Sequence, residues 1–196
     1  ASTGHIIEGS GLFDGSTGYL SNTFGTPTDN NVWTFHAIAK LGVDGTQNKL
    51  LDATTGGSSQ ASVVINITDA TLRCFDYTGS FTWDIEASAV HRDPAAYYLW
   101  TVVVNTSTGV TAADKVKLYQ NTTRLTDYDT QTNPADDAVS LINTASRAYA
   151  LGTRKDSPSG YFNGYASRFA FIDGLALEPT EFMEVTDDGF IQINDV

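Results

Sequence analysis

The chain has 196 residues, of which 41% are hydrophobic and 17% are charged, a length and composition typical of one folded domain. Eleven lysines and arginines oppose 23 aspartates and glutamates, so the formal net charge is −12. Such a chain repels phosphate groups, which excludes nucleic acid as a partner and argues against anionic membrane surfaces. No stretch approaches the ~20 consecutive apolar residues of a membrane span, so we expect no membrane partner.

The order of apolar and polar residues is typical of β-strands along most of the chain. Alternation over residues 32–40 predicts a strand with Trp33 and Phe35 on one face and Thr34 and His36 on the other. Further strands are predicted at residues 63–67, 71–77, 80–86, 97–104, 115–120, 148–151 and 161–172. The strand at 97–104 is apolar on both faces, as expected where a strand is covered on two sides.

The segments between these strands are rich in the turn-forming residues Gly, Ser, Thr, Asn and Asp. Helical turns are expected only at residues 134–143 and 178–183. Many short strands with this punctuation predict an all-β fold with minimal helix, an antiparallel two-sheet jelly-roll sandwich. We expect this domain at residues 10–184, between an N-terminal arm at 1–9 and an acidic C-terminal tail at 185–196.

Two stretches of the sequence carry a family resemblance. They are residues 12–20 (LFDGSTGYL) with 33–35 (WTF), and residues 161–165 (YFNGY) with 169–177 (FAFIDGLAL) and 181–182 (EF). Together they resemble laminin-G-like domains of the concanavalin A-like lectin and glucanase superfamily, and they are similar to a group found in virion structural proteins of tailed phages. The resemblance covers about residues 10–184 and implies the concanavalin A-like jelly roll.

The resemblance also implies a function. It indicates a non-enzymatic phage virion structural protein, a capsid decoration or accessory protein made in the host cytoplasm and displayed on the virion surface. The partners expected for it are other virion proteins of the capsid shell or tail, and further copies in a homo-oligomer such as a trimer. In this role Phe190, Ile191 and Ile193 form an assembly arm that pairs with a neighbour's sheet edge. The alternative is a tail fibre or spike module that recognises a cell-surface glycan.

Asp84 and Glu86 are the strongest candidates for catalytic carboxylates. Side chains two residues apart on a strand stand about 6.5–7 Å apart, which suits two carboxylates flanking a glycosidic bond. Glucanases of the superfamily carry Glu-x-Asp-x-Glu on this strand, whereas Thr82 stands here in the place of the nucleophile. We therefore predict no catalytic residue and interpret the pair as a solvated acidic face on an outer strand. A glycoside hydrolase is the less favoured alternative.

No motif requires a cofactor, but the resemblance makes calcium a candidate, because related domains often hold Ca²⁺ at the rim of the sandwich. Asp and Asn side chains and backbone oxygens are the ligands that Ca²⁺ takes. The candidate ligands are Asp29 and Asn30 in one loop and Asp127 and Asp129 in another.

A glycan site requires an exposed aromatic ring beside polar groups. Alternation assigns Trp33 and Trp83 to the core, whereas Tyr128 and Tyr161 stand near predicted loop ends and are the candidate ligand-binding residues. The single cysteine, Cys74, cannot form an internal disulfide and is expected to be a small core residue.

Overall fold

The computed structural model describes residues 9–42, 48–56, 58–66, 70–186 and 191–194. The strands of the described residues are β1 (Gly11–Asp14), β2 (Leu20–Thr23), β3 (Val32–Leu41), β4 (Asn48–Asp52), β5 (Ser59–Ile65), β6 (Thr71–Thr78), β7 (Phe81–Val90), β8 (Tyr98–Asn105), β9 (Val116–Gln120), β10 (Thr123–Leu125), β11 (Tyr128–Thr132), β12 (Ala148–Leu151), β13 (Asn163–Asp173), β14 (Met183–Val185) and β15 (Ile191–Ile193). Short 3₁₀ helices occupy Ala112–Asp114 and Pro179–Glu181. None of the helices in the described ranges is long and apolar enough to cross a membrane.

Two antiparallel sheets form the sandwich, which confirms the predicted all-β architecture. The first sheet has six strands in the order β1-β13-β3-β8-β9-β10, and the second has seven in the order β11-β7-β6-β5-β4-β12-β2. β14 and β15 form a separate hairpin. All pairings between neighbouring strands are antiparallel, so consecutive strands can be joined by short turns.

The core lies between the two sheets and is built by the alternation seen in the sequence. Trp33 and Phe35 of β3 are at most 1% exposed and meet Trp83 of β7 and Trp100 of β8 in the same buried cluster. Cys74 belongs to this cluster, as predicted, and burial raises the pKa of its thiol. Side chains of this size contribute about 1.5–3 kcal/mol or more each when they are removed from water.

The helix expected at residues 134–143 is wrong. Asp137 and Asn143 have φ angles of 54° and 64°, in the left-handed region, where a right-handed helix cannot continue. The carboxylate of Asp76 accepts hydrogen bonds from the Ser140 hydroxyl at 2.9 Å and the Leu141 amide at 2.7 Å. The segment therefore bonds to Asp76 of β6 and does not form a helix.

The close approach of β13 to β3 requires Gly164. This residue has a φ of +149°, and a Cβ there would lie 2.0 Å from the backbone oxygen of Lys40. Further along β13, the register shifts between Ala166 and Arg168, so Ser167 is a bulge next to the start of β1.

The C-terminal hairpin covers part of the outer face of the first sheet. Met183 and Ile193 pack on Ile38 and Leu99 in a second, smaller apolar cluster. The ring of Phe182 stacks on the buried ring of His36, with centroids 4.6 Å apart and planes 3° apart. The boundary expected at residue 184 therefore falls inside β14, which pairs with β15 across it.

His36 is buried beneath that contact. Its Nδ1 lies 3.0 Å from the hydroxyl of Thr101, and burial lowers the pKa of the ring to about 3. The nearby positive charge of Arg168 lowers the pKa further. The ring is therefore neutral at neutral pH.

Candidate functional site

Polar and aromatic side chains cover the face of the second sheet that points away from the core. Because strand side chains alternate, Leu72 and Cys74 of β6 enter the core while Arg73 and Phe75 point outward. We call this surface the polar face. Its residues are Lys49 and Asp52 on β4, Gln60 and Ser62 on β5, Arg73, Phe75 and Tyr77 on β6, and Phe81, Asp84 and Glu86 on β7.

Arg73 is the central cation of the polar face. Its guanidinium donates two hydrogen bonds to the carboxylate of Asp84, at 2.8 and 2.6 Å, and lies 3.7 Å from Glu86. The side chains of Asn66 and Thr71 donate to Glu86 at 2.6 and 2.7 Å. The hydrogen bonds to Asp84 raise the pKa of Arg73, so the group is always charged.

The interpretation of Asp84 and Glu86 as a solvated acidic face is therefore wrong. The two residues are 4% and 9% exposed, and β7 lies inside the sheet, between β6 and β11. A cation from the neighbouring strand compensates their charge, as burial of carboxylates requires.

A second polar cluster surrounds Lys49, which is 2% exposed. Its ammonium donates to the Ser62 hydroxyl at 3.1 Å and lies 3.6 Å from the carboxylate of Asp52. Burial lowers the pKa of Lys49 to about 8, although the Asp52 charge acts in the opposite direction. Asp52 is fully buried and also accepts hydrogen bonds from the Ser62 hydroxyl and from the backbone amides of Thr54 and Lys155.

Aromatic rings join the two polar clusters. The Phe75 ring lies 5.3 Å from the Lys49 ammonium and 4.9 Å from the Arg73 guanidinium. Phe81 makes edge-to-face contacts with Phe75 and Tyr77, with centroids 5.7 and 5.2 Å apart. Phe75 is 6% exposed but Phe81 is 46% exposed. The polar face thus presents one large aromatic ring to solvent and fixes it by contacts on two sides.

Sequence reasoning missed Phe81 because of a β-bulge. Asp76 pairs with Trp83 and Tyr77 pairs with Phe81, so Thr82 is an extra residue on β7. The Thr82 hydroxyl turns toward Asp76, to which it donates a hydrogen bond. Simple alternation places Phe81 on the same face as Trp83, whereas the bulge moves it to the opposite face. Nothing local in the sequence marks this shift.

The predicted ligand-binding tyrosines lie elsewhere. Tyr128 is half-buried in β11 and packs against the core, and Tyr161 is half-buried just before β13. Their role in binding stays a prediction. The aromatic residues with large exposed fractions in the described ranges are Tyr19, Phe81, Tyr97 and Tyr165.

The predicted calcium ligands form two separate groups. Asp29, beside Asn30, accepts a hydrogen bond at its backbone oxygen from Asn143. Asp129, two residues from Asp127, accepts one at its carboxylate from Ser88. Within the residues that the structure describes, no group of three or more His, Cys, Asp or Glu side chains is arranged to hold a metal ion. Calcium binding by Asp29, Asn30, Asp127 and Asp129 stays a prediction.

The predicted assembly residues lie at the C terminus. Ile193 packs on the outer face of the first sheet, and Ile191 pairs with Val185 in the hairpin. Phe190 lies outside the described residues. Their part in assembly also stays a prediction.

Comparison with known proteins shows similarity at the level of the fold. No protein-family model and no curated protein matches the chain. The Ruminococcus gnavus IT-sialidase CBM40 bound to α2,3-sialyllactose has a TM-score of 0.58 and 13% identity, over 88% of this chain and 93% of that one. Domain 4 of the Geobacillus stearothermophilus arabinanase AbnA, in complex with arabinotriose, has a TM-score of 0.60 and 16% identity, over 91% and 84%.

A laminin-G structure is also similar. Domains LG4-5 of the mouse laminin α1 chain have a TM-score of 0.52 and 11% identity, over 83% of this chain and 40% of that one. These likenesses confirm the laminin-G-like and concanavalin-like jelly roll that the sequence predicted. At such low identities they establish the fold and leave the function to be argued from the site.

Proposed function

We propose that this chain is a non-catalytic glycan-binding module that takes up a sugar ring on its polar face, at Phe81. The observation that carries the proposal is the half-exposed Phe81 ring, fixed against Phe75 and Tyr77 among hydrogen-bonding side chains. The C–H face of a sugar packs on an aromatic ring, and its hydroxyl groups bond to neighbouring polar groups. Two domains of similar fold hold sialyllactose and arabinotriose, which supports the class of ligand.

The charges of the polar face favour a neutral sugar. Two cations, Lys49 and Arg73, stand among three carboxylates, those of Asp52, Asp84 and Glu86. Arg73 already holds Asp84 in a two-pronged contact and is not free to pair with a ligand carboxylate. A sialylated glycan would also approach a chain of net charge −12. We therefore expect neutral oligosaccharides to bind better than sialylated ones.

The same contacts argue against hydrolysis. A glycosidase needs one carboxyl group that donates a proton and a second that acts as a nucleophile or base. Here Asp84 and Glu86 lie against the same guanidinium and are less than 10% exposed. We expect no turnover of β-glucans or galactans, and a hydrolytic activity that Glu86→Gln abolishes would support a glycosidase instead.

Calorimetric titration with a panel of neutral oligosaccharides and sialyllactose, with and without Ca²⁺, tests the proposal. We expect Phe81→Ala to weaken binding about five- to thirtyfold, because stacking of one ring contributes on the order of 1–2 kcal/mol. Leu175→Ala is the matched control, because Leu175 is also a large apolar side chain, 54% exposed, outside the polar face. Absence of binding across the panel, or equal affinity of Phe81→Ala and the wild type, would contradict the proposal.

Display on a virion is a separate part of the proposal, and it rests on the resemblance in residues 12–20 and 161–165. Immunogold electron microscopy of phage particles that carry this chain is the direct test. Label over the heads supports capsid decoration, and label at the tail tip or fibres supports recognition of host glycans. Particles without label would overturn the virion assignment and leave the glycan proposal untouched.

A further inference from the structure

Each side of the sandwich ends in one edge strand from each sheet. The two sides differ in how these edge strands are protected against pairing with another chain. On one side the edge strands are β10 and β11, and on the other they are β1 and β2. An edge strand directs backbone N–H and C=O groups outward, and these can pair with another strand. Within the described residues, β1 pairs only with β13, and β2 pairs only with β12.

Charged side chains protect the first of these sides. Arg124 lies in β10 and Asp129 in β11, with Asp127 just before it, and such charges oppose pairing with another strand. On the other side, the eight residues of β1 and β2 include one charge, that of Asp14. Its carboxylate accepts hydrogen bonds from the amides of Ser16, Thr17 and Gly18 in its own turn. The β1–β2 side therefore lacks the charged side chains that protect the other side.

Exposed apolar side chains are concentrated on the β1–β2 side. Leu12 and Leu20 are 64% and 58% exposed, and Tyr19 and Tyr165 are each 44% exposed. A cleft of about 440 Å³ opens between β1, the start of β2 and the bulge of β13. Among the described residues that line it, Arg168 is the only charged one. We call this surface the β1 edge.

The composition of the β1 edge favours a second copy of this chain as its occupant. Two chains of charge −12 repel each other, so they associate with least cost where acidic side chains are few, and β1 and β2 carry one, Asp14. The free side of β1 is also self-complementary, since two antiparallel strands related by a two-fold axis exchange the same hydrogen bonds. An extended peptide from another protein would have to match the same backbone pattern without this symmetry.

We propose that two copies associate through the β1 edge, with β1 pairing antiparallel to β1 of the second copy, so that the first sheets join into one. Leu12, Tyr19, Leu20 and Tyr165 then become covered at the junction. This inference goes beyond glycan binding and does not depend on it, because the β1 edge and the polar face belong to different surfaces of the fold.

Sedimentation equilibrium of the full chain over a range of concentrations tests the proposal. We expect a reversible dimer of the 21.1-kDa chain. The double variant Leu12→Lys/Leu20→Lys should raise the dissociation constant of this dimer at least about tenfold. The control is Val139→Lys/Leu175→Lys, which makes the same charge change at two other exposed apolar residues, 51% and 54% exposed. A monomer at all concentrations, or a trimer, or equal association of the two double variants, would overturn the proposal.

Hydrogen exchange supplies a second measurement that needs no variant. In the dimer, the outward amides of β1 should exchange more slowly as the concentration rises, whereas those of β10 should not change. Amides of β1 whose exchange does not depend on concentration would contradict the proposed pairing even if the protein were dimeric by another surface.

Discussion

Replacement of Arg73 by Met would leave Asp84 and Glu86 buried without their cation. Met keeps an unbranched side chain but removes the guanidinium, which lies over the Phe75 ring and donates the two short hydrogen bonds to Asp84. Removal of one partner of a buried ion pair costs about 3–5 kcal/mol. Since the Arg73 side chain is 18% exposed, water compensates part of this loss, and we expect about 3 kcal/mol at neutral pH.

Urea denaturation at neutral pH measures this free energy of unfolding, and a thermal melt should show a fall of about 6–12 °C in Tm. Adding Asp84→Asn in the Arg73→Met background should restore part of the loss, because one uncompensated carboxylate is then removed. Arg73→Lys, which keeps the charge but not the two-pronged geometry, should lose less. A loss below about 1 kcal/mol for Arg73→Met, or no recovery in the double variant, would refute this account of the polar face.

Two further predictions concern the first sheet. Gly164→Ala should prevent the close pairing of β13 with β3 and lower the free energy of unfolding by at least about 3 kcal/mol. The control is Gly25→Ala, which should leave the melting temperature nearly unchanged because no atom lies within 4 Å of the added Cβ. Burial lowers the pKa of His36 to about 3, so protonation favours the unfolded chain. The stability that the neutral ring contributes is therefore complete above pH 6.5 and is lost progressively as the pH falls. By pH 5 the loss in unfolding free energy from this residue should be about 2 kcal/mol. His36→Phe should show a correspondingly smaller change in unfolding free energy between pH 7 and pH 5, and an unchanged pH dependence would contradict this assignment.

The strands that build the core were predictable from the sequence because their signal is local. The alternation over residues 32–40 gave the correct face for Trp33 and Phe35, and the observed strand differs from the predicted one by a single residue. Seven of the described strands were not predicted: β1, β2, β4, β10, β11, β14 and β15. Among them, β1, β2 and β4 depend on distant partners. They are only four or five residues long. They become strands because they pair with distant segments, more than because of their own composition.

The candidate site was less predictable for a related reason. Asp84 and Glu86 were correctly placed on one face of β7, but their burial depends on Arg73 of the neighbouring strand, which no spacing within residues 80–86 reveals. The exposed position of Phe81 depends on a bulge at Thr82, which shifts the pairing with β6 by one residue. Cross-strand register decides both features, and it is a property of the assembled sheet.

The polar groups of the polar face already hydrogen-bond to one another, and this limits what a single sugar can gain. A hydroxyl group that bonds to Gln60 must displace contacts that exist before it arrives, because the Gln60 amide already donates to Asp52 and Ser62. One chain should therefore hold one sugar only in the millimolar range, about 4 kcal/mol. Strong adhesion would then arise from avidity: many copies fixed on one surface engage a glycan-coated cell together, and each bound contact raises the effective concentration for the next.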